Sequence, residues 1–259
     1  MQFENFISCA IVTYNNGEKA ANICKQLVNY TKKYPLKFYV IDNASTDDTV
    51  ERISKIQGIN IIQNKKNLGF GAAHNMPIKE GIGKYHFVIN PDIEINGDIL
   101  SDMADFLEEN SDIVMAMPNI LNPDKTVQYL PKKRPTFKRL YLGRFFKKYR
   151  DEYVMANTNF ESVTDIDFCT GCFFGIKGSV FENLGGFDKR YFMYMEDVDL
   201  TLMAKKYGRV VIAPQFSVVH LWERESAKSL KYLFIHINSS LKFLRKWRKN
   251  ANENFGNRL

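Results

Sequence analysis

The sequence predicts an α/β protein: an open, mostly parallel sheet flanked by helices, with a C-terminal helical extension. Three observations lead there. Short apolar runs alternate with helix-patterned segments from Phe6 to Ile89, the rhythm of a parallel sheet with crossover helices. Each run ends in polar residues at what becomes the carboxyl edge of the sheet, where ligands sit in such folds. Residues 226–250 then repeat apolar positions at helical spacing.

Taken in order, Phe6–Tyr14 (FISCAIVTY) is a short apolar run and reads as a buried strand. A helical pattern covers about Gly17 to Tyr30, and Phe38–Ile41 forms the second strand, ending at Asp42-Asn43-Ala44-Ser45-Thr46-Asp47. Ser45 or Thr46 caps a helix near Asp48–Ile56. Ile59–Gln63 is the third strand and Tyr85–Ile89 the fourth, separated by a helix over Ala72–Lys79 that tolerates Pro77 only near an end. Residues 122–160 mix prolines, cations and aromatics without periodicity, which predicts a mobile loop or lid. Regularity returns at Ile166–Ile176, with helices near Lys177–Asn183 and Met195–Tyr207 and strands near Val210–Ile212 and Ser217–His220. The expected organisation is one domain over 1–225 and a basic amphipathic helix and tail over 226–259.

Composition fits a folded protein of 259 residues, with 45% hydrophobic and 25% charged residues. No apolar run reaches the roughly 18 residues of a membrane span, and the N-terminus lacks the pattern of a signal peptide. A cytoplasmic location is expected. Cys169 and Cys172 form a lone CxxC among phenylalanines, without the second pair a structural zinc site needs. They read as small buried side chains. The net charge of +7 is uneven. Residues 131–150 carry nine Lys/Arg and no acid, and residues 226–250 carry seven and no acid. With those sixteen of the 36 cations set aside, 20 remain against 29 acids. Two basic patches on an acidic body point to an anionic partner. For the C-terminal segment that partner is expected to be an anionic membrane surface, with the apolar stripe either entering it or packing on the catalytic body while the cations face lipid. Leu230, Leu233, Phe234, Ile237, Leu241 and Leu244 make its apolar stripe, Lys231, Lys242, Arg245 and Lys249 its cationic face, and Phe243 and Trp247 reach headgroup level.

Several residue clusters carry chemistry. Asn67-Leu68-Gly69-Phe70-Gly71 offers G-x-G, but His74 stands in place of the third glycine and the segment follows the wrong strand for a dinucleotide fingerprint. Hydride transfer is thus disfavoured. Asp42, at a strand tip, either accepts the N3–H of uracil or thymine or caps its own turn. Asn90-Pro91-Asp92 follows the fourth strand, and a carboxylate there can hold Mg²⁺ or Mn²⁺ with positions left for a diphosphate. Met193-Tyr194-Met195-Glu196-Asp197-Val198-Asp199-Leu200 sets three acids at a helix start, where the dipole favours carboxylates. Such a carboxylate can take a proton from an attacking hydroxyl. His220 ends a strand and is either structural or a metal or phosphate ligand. Arg224 can neutralise a diphosphate.

The ordered set VTYN (12–15), VIDNASTDDT (40–49), NKKNLGFGAAHN (64–75), INPDIEI (89–95), TGCFFGIKGSVFENLGGFDKRYFMYMEDVDL (170–200) and His220 resembles the family 2 glycosyltransferases of the GT-A fold, a Rossmann-like architecture. The bacterial rhamnosyltransferase-like branch, which builds surface polysaccharides, is the nearest in pattern. The resemblance spans roughly residues 6–225. It implies that Thr13, Tyr14 and Asp42 hold the nucleoside, with Asn43, Ser45 and Asn67–Gly69 lining the pocket. It implies Asp92 as the last residue of a DXD metal motif, His220 as a second ligand for Mn²⁺ or Mg²⁺, and Asp197 as catalytic base. Glu196 and Asp199 would orient the site or touch the acceptor. The implied reaction is inverting transfer of one sugar, rhamnose or a hexose, from a dTDP- or UDP-sugar to a hydroxyl of a lipid-linked glycan.

Two departures stand out: Asn90 occupies the first DXD position, and Met203 stands where an arginine is common. The Gln-x-x-Arg-Trp signature of polymerising relatives is absent, which favours one sugar per encounter. A sugar nucleotidyltransferase would carry a glycine- and basic-rich signature after its first strand, where Asn15-Asn16-Gly17-Glu18 stands instead. A non-catalytic sugar-nucleotide binder is disfavoured by the joint presence of Asp92 and Asp197. A nucleic-acid binder is disfavoured because the basic runs belong to no nucleic-acid module.

Overall fold

The computed structural model describes residues 6–128, 130, 132–155, 158, 160–221 and 230–256. The first strand, β1 (Ile7–Thr13), is buried along its length with only Val12 partly open, as a strand covered on both faces must be. Helix α1 (Gly17–Tyr30) lays Ala20, Ile23, Cys24 and Leu27 on the core at spacings of three and four. Strand β2 (Leu36–Asp42), α2 (Thr49–Ser54) and β3 (Ile59–Gln63) follow. The chain then returns through α3 (Phe70–His74) and α4 (Pro77–Glu80) to β4 (Tyr85–Ile89) on the other side of β1. The single helix expected over Ala72–Lys79 is therefore two, because Pro77 lacks an N–H and starts a second helix.

Strands β3-β2-β1-β4 are parallel, and the order reverses between β1 and β4, which opens a crevice at their carboxyl ends. Beyond β4 the nine-stranded sheet of the described residues is mixed. Strand β5 (Ile93–Glu94) leads to α5 (Ile99–Glu109) and β6 (Ile113–Leu121). Neither α5 nor β6 is anticipated above, although the signals are present. Asp98 accepts from the Ser101 N–H as an N-cap at 3.3 Å, and Ile99, Leu100, Met103, Ala104, Phe106 and Leu107 form one buried face.

Residues 122–160 are not irregular throughout: they contain α6 (Phe137–Tyr141), a 3₁₀ turn at Leu142–Arg144 and α7 (Lys147–Tyr153). Strand β7 (Thr164–Asp165) is followed by an irregular stretch, and β8 (Phe173–Lys177) begins later than the Ile166–Ile176 run suggests. Cys169 and Cys172 lie in that stretch, buried as expected and free, and burial pushes the Cys172 thiol up to about 12. Helices α8 (Gly178–Asn183) and α9 (Glu196–Ala204) precede β9 (Arg209–His220). Strand β9 is one strand where two are expected, with a register shift against β6 between Pro118 and Asn119 that absorbs Pro214.

The last element is α10 (Leu230–Gly256). The proposed division at 225/226 lies outside the described residues, as does Arg224. The packed face of α10 differs from the expected one. Ser239, Ser240, Phe243 and Trp247 are buried, while Leu230, Phe234 and Leu241 face outward. Phe243 and Trp247 therefore do not reach a headgroup layer: they join Phe168, Tyr191, Met195 and Val198 in a second core cluster. Alternation of small serines with two large aromatics lets this face fit a close surface, which a count of apolar residues overlooks.

Asp199 is part of the same joint. It is 2% exposed, accepts from Trp247 Nε1 at 2.8 Å and from Lys246 Nζ at 2.6 Å, and so fastens α10 to α9. Asp199→Ala leaves the indole N–H without this acceptor and half the ammonium's pairing undone. The expected loss is about 2–3 kcal/mol of folding stability, measured as the shift of the urea midpoint.

Candidate active site

Two cavities adjoin at the carboxyl edge of the sheet. The first, about 350 Å³, is lined by Thr13, Tyr14, Asn43, Asn67, Gly69 and Asp92, with Lys231 and Tyr232 of α10 at its rim. The second, about 410 Å³, is lined by Glu196, Asp197 and His220 together with Lys132, Tyr153 and Thr170. Phe70, Asn90 and Met193 line both, so the two meet at the end of β4.

Asn43 shapes the first cavity from behind. Its Nδ2 donates to Asn67 Oδ1 at 2.9 Å and Gly69 O at 3.2 Å, and its Oδ1 accepts from Asn64 Nδ2 and Leu68 N–H. The side chain is thereby spent on holding loop 64–69 against β2. Asp42 accepts from the Ser45 N–H at 3.2 Å, and Ser45 Oγ accepts from the Asn15 N–H at 2.9 Å. Asp42 thus caps its own turn, and neither Asp42 nor Ser45 is among the cavity's lining residues. Thr13 Oγ1 is buried without a partner among the described residues. Gly69 has φ +83°, and a Cβ there would lie 2.1 Å from Phe192 O. Only glycine allows the loop to approach segment 192–195 so closely.

The β5–β9 ladder sets the next pair. Ile93 lies opposite His220, and the Leu221 N–H donates to Asp92 O at 2.8 Å. His220 Nε2 consequently sits 3.3 Å from Asp92 Oδ2. Gln128 decides the tautomer. Its Nε2 donates to His220 O at 3.0 Å, which leaves Oε1 facing His220 Nδ1 at 3.1 Å. A carbonyl oxygen can only accept, so Nδ1 carries the hydrogen. The Nε2 lone pair of a neutral ring then faces a carboxylate oxygen, an arrangement that a cation between them, proton or metal, makes favourable. Burial pushes the Asp92 carboxyl up, and the hydrogen bond and charge of His220 more than reverse this, leaving it below its usual range. Asp92 Oδ1 is buried with no partner among the described residues. An imidazole nitrogen and a carboxylate suit Mn²⁺ and accept Mg²⁺ less readily.

Glu196 and Asp197 open α9 after two residues, Tyr194 and Met195, both at φ +69°. Neither is glycine, so strain of order 1–3 kcal/mol per residue is stored beside the acids. Asp197 Oδ2 accepts from the Gly171 N–H at 3.1 Å and Oδ1 from the Val198 N–H at 2.9 Å. Thr201 Oγ1 donates to Asp197 O at 2.8 Å and accepts from the Cys169 N–H at 3.1 Å, tying the CxxC loop to α9. Burial raises the pKa of both acids, and the charge of Asp197 raises Glu196 further. Gly171, Val198 and Lys132 pull Asp197 back down. Asp197 is thus met by two backbone N–H groups and a cation that favour its charged form, whereas Glu196 Oε2 is buried with no partner among the described residues. Lys132 packs over the Phe168 ring at 5.1 Å, and burial lowers its pKa against the opposing pull of Asp197.

Asp199 is turned away from this cavity, toward α10. Gln128, Lys132, Tyr153 and Gly171 are the residues that sequence reasoning missed. Lys132 was hidden in a basic run in which Lys138, Lys147, Lys148 and Arg150 are exposed.

The fold is that of GT-A glycosyltransferases. GalNAc-T7, solved with UDP, GalNAc and Mn²⁺, matches with a TM-score of 0.67 at 14% identity, over 94% of this chain and 48% of that one. A mannosyltransferase from Pyrobaculum calidifontis, solved with GDP-Man and Mn²⁺, matches with a TM-score of 0.59 at 17% identity, over 86% of this chain and 59% of that one. The chain thus spans about half the length of the first structure. The model of glycosyl transferase family 2 matches residues 8–185, and the chain belongs to that family. Among its relatives, the N-acetylglucosaminyl-diphospho-decaprenol L-rhamnosyltransferase of Mycobacterium tuberculosis is 26% identical over 90% of this chain and 82% of its own length. The rhamnosyltransferase WbbL of Escherichia coli is 26% identical over 72% of this chain and 74% of its own.

Proposed function

We propose that the protein transfers one sugar, rhamnose or a hexose, from a dTDP- or UDP-sugar to a hydroxyl of a lipid-linked glycan, with inversion at the anomeric carbon. The observation that carries this reading is the meeting of two cavities at Asn90, one bearing Asp92 and the other Asp197. A donor lies in the first with its diphosphate toward Asp92 and His220, and Thr13 and Tyr14 contact its nucleoside. Asp42 and Ser45 act one layer back, by fixing the turn behind it. Asp92 and His220 would hold Mn²⁺ or Mg²⁺, which would supply positive charge for the departing nucleotide diphosphate. The acceptor occupies the second cavity. Asp197 takes the hydroxyl proton as the oxygen attacks the anomeric carbon and the bond to the diphosphate breaks. Glu196 lines the same cavity beside it, and burial and the charge of Asp197 both favour its neutral form.

The rhamnosyl donor is supported by the relatives from M. tuberculosis and E. coli, and the polyprenyl-linked acceptor by the first of them. A nucleotidyltransferase or passive binder has no use for a base in a second cavity that adjoins the nucleotide's. The test is nucleotide release from dTDP-L-rhamnose, UDP-glucose and UDP-N-acetylglucosamine, with and without a polyprenyl-diphosphate glycan. Acceptor-dependent release of dTDP or UDP is expected, and release of pyrophosphate or none at all from any donor refutes the reading.

The Lys132 charge carries a pH prediction. Asp197 is raised by burial and lowered by Lys132, so removing the cation raises it further. Activity needs the ionised base and is lost as pH falls through its pKa. Lys132→Met is therefore expected to move the acid limb of the kcat profile to higher pH. An unmoved limb would mean that Lys132 does not sense the base.

A further inference from the structure

The segment that brings Lys132 to Asp197 has an outer side with no role in the site. Phe137 is 62% exposed, Phe145 80% and Phe146 56%. Lys138, Lys147 and Lys148 stand exposed beside them. The inner side of the same segment is well satisfied. Leu140 packs on the cluster of Phe243 and Trp247, Arg139 pairs with Glu152 at 2.8 Å, and the Arg134 guanidinium stacks 5.0 Å from the Trp247 ring. Three phenylalanines left in water within ten residues, after the inner side has found its partners, mark a surface that is covered in use. The outward row of α10 has a similar composition, with Leu230, Phe234 and Leu241 exposed alongside Lys231, Arg245 and Arg248.

We propose that Phe137, Phe145 and Phe146 with Lys138, Lys147 and Lys148 form a docking surface for an anionic phospholipid bilayer. The rings enter the interface and the ammonium groups meet lipid phosphates. Charge complementarity favours a bilayer. Residues 131–150 hold nine cations and no acid, whereas the chain outside the two basic segments has more acids than cations. An anionic plane therefore attracts this side and repels the remainder, which orients the molecule as well as holding it. No helix of the described residues is long and apolar enough to cross a membrane, so attachment is at the surface. The inference deepens the proposed function, because Leu130, Lys132 and Tyr153, which flank the docking helices in sequence, line the acceptor cavity. A lipid-linked glycan in the bilayer would then lie beside the base.

The test uses the full chain and no substrate, so its outcome is independent of the transferase reading. Co-sedimentation is measured with phosphatidylcholine vesicles, with and without phosphatidylglycerol, at low and high salt. Binding is expected only with the anionic lipid and is weakened by salt. Changing Lys138, Lys147 and Lys148 together to Gln is expected to weaken it on the order of a hundredfold. The combined Phe137→Ser, Phe145→Ser, Phe146→Ser variant is expected to lose it. Unfolding midpoints for both variants confirm that they fold, and exposed positions make retention the expected result. Binding that ignores lipid charge or either set of changes overturns the proposal, as does binding to heparin or RNA without binding to vesicles.

Discussion

Asp197→Asn is expected to bind donor nucleotide as the wild type does and to lose transfer by on the order of 10²–10⁴-fold in kcat. The amide keeps the shape of the carboxylate and still accepts from Gly171 or Val198, whose N–H groups lie 3.1 and 2.9 Å from the two oxygens. One of those contacts then faces an NH₂, so the side chain settles for the better one. What it cannot do is receive a proton at neutral pH. Stability is not expected to fall, because burial raises the pKa of this carboxyl and a neutral amide relieves that cost. The separation of binding from chemistry is what distinguishes a base from a structural acid. Calorimetry with dTDP or UDP and single-turnover transfer together provide the measurement. A variant with near-normal turnover removes Asp197 from the base role. Glu196→Gln is the contrast: burial and the charge of Asp197 both raise the pKa of this carboxyl, so a neutral amide there should retain much more activity.

How much of this was legible beforehand follows the physics of each signal. Strands β1, β2 and β4 are covered on both faces and so read as continuous apolar runs, and the polar residues that end them lie at the crevice. Asp92 and His220 could be picked out as polar residues at or just past the ends of strands, and Glu196 and Asp197 as acids at a helix start. Gln128 and Lys132 could not. Each matters through a partner far away in sequence, His220 for Gln128 and Asp197 for Lys132. Nothing local separates them from the polar surroundings of residues 122–160. Asp199 misled for the complementary reason. It shares the acidic cluster and one helix with Asp197, but two residues along a helix turn a side chain by about 200°. That rotation carries it from the cavity to the joint with α10. The faces of α10 misled because a buried surface need not be greasy: Ser239 and Ser240 go inward and Phe234 stays out.

Asp92→Ala is expected to weaken nucleoside-diphosphate binding in the presence of Mn²⁺ by about tenfold or more while leaving nucleoside binding nearly unchanged. The reason is that only the diphosphate needs the cation, and the carboxylate is the charged half of the two-donor set. The orphaned Oδ1 and the 3.3 Å approach of His220 Nε2 are what a cation would satisfy. The same logic extends one residue outward. Gln128 fixes the hydrogen on Nδ1 and so presents the Nε2 lone pair inward. Gln128→Leu fills similar space and leaves the ring's tautomer and orientation unset. Loss of such a support typically costs 10–100-fold in metal affinity. Titration of Mn²⁺ followed by the loss of its free-ion electron paramagnetic resonance signal, with UDP or dTDP present, measures both variants without recourse to turnover. A structural role for Gln128 alone would instead lower the unfolding midpoint and leave the Mn²⁺ isotherm in place. Nucleotide affinity that is equal with and without Mn²⁺ in the wild type would mean that Asp92 and His220 hold a proton between them rather than a metal, and that the diphosphate is neutralised by cations of the chain.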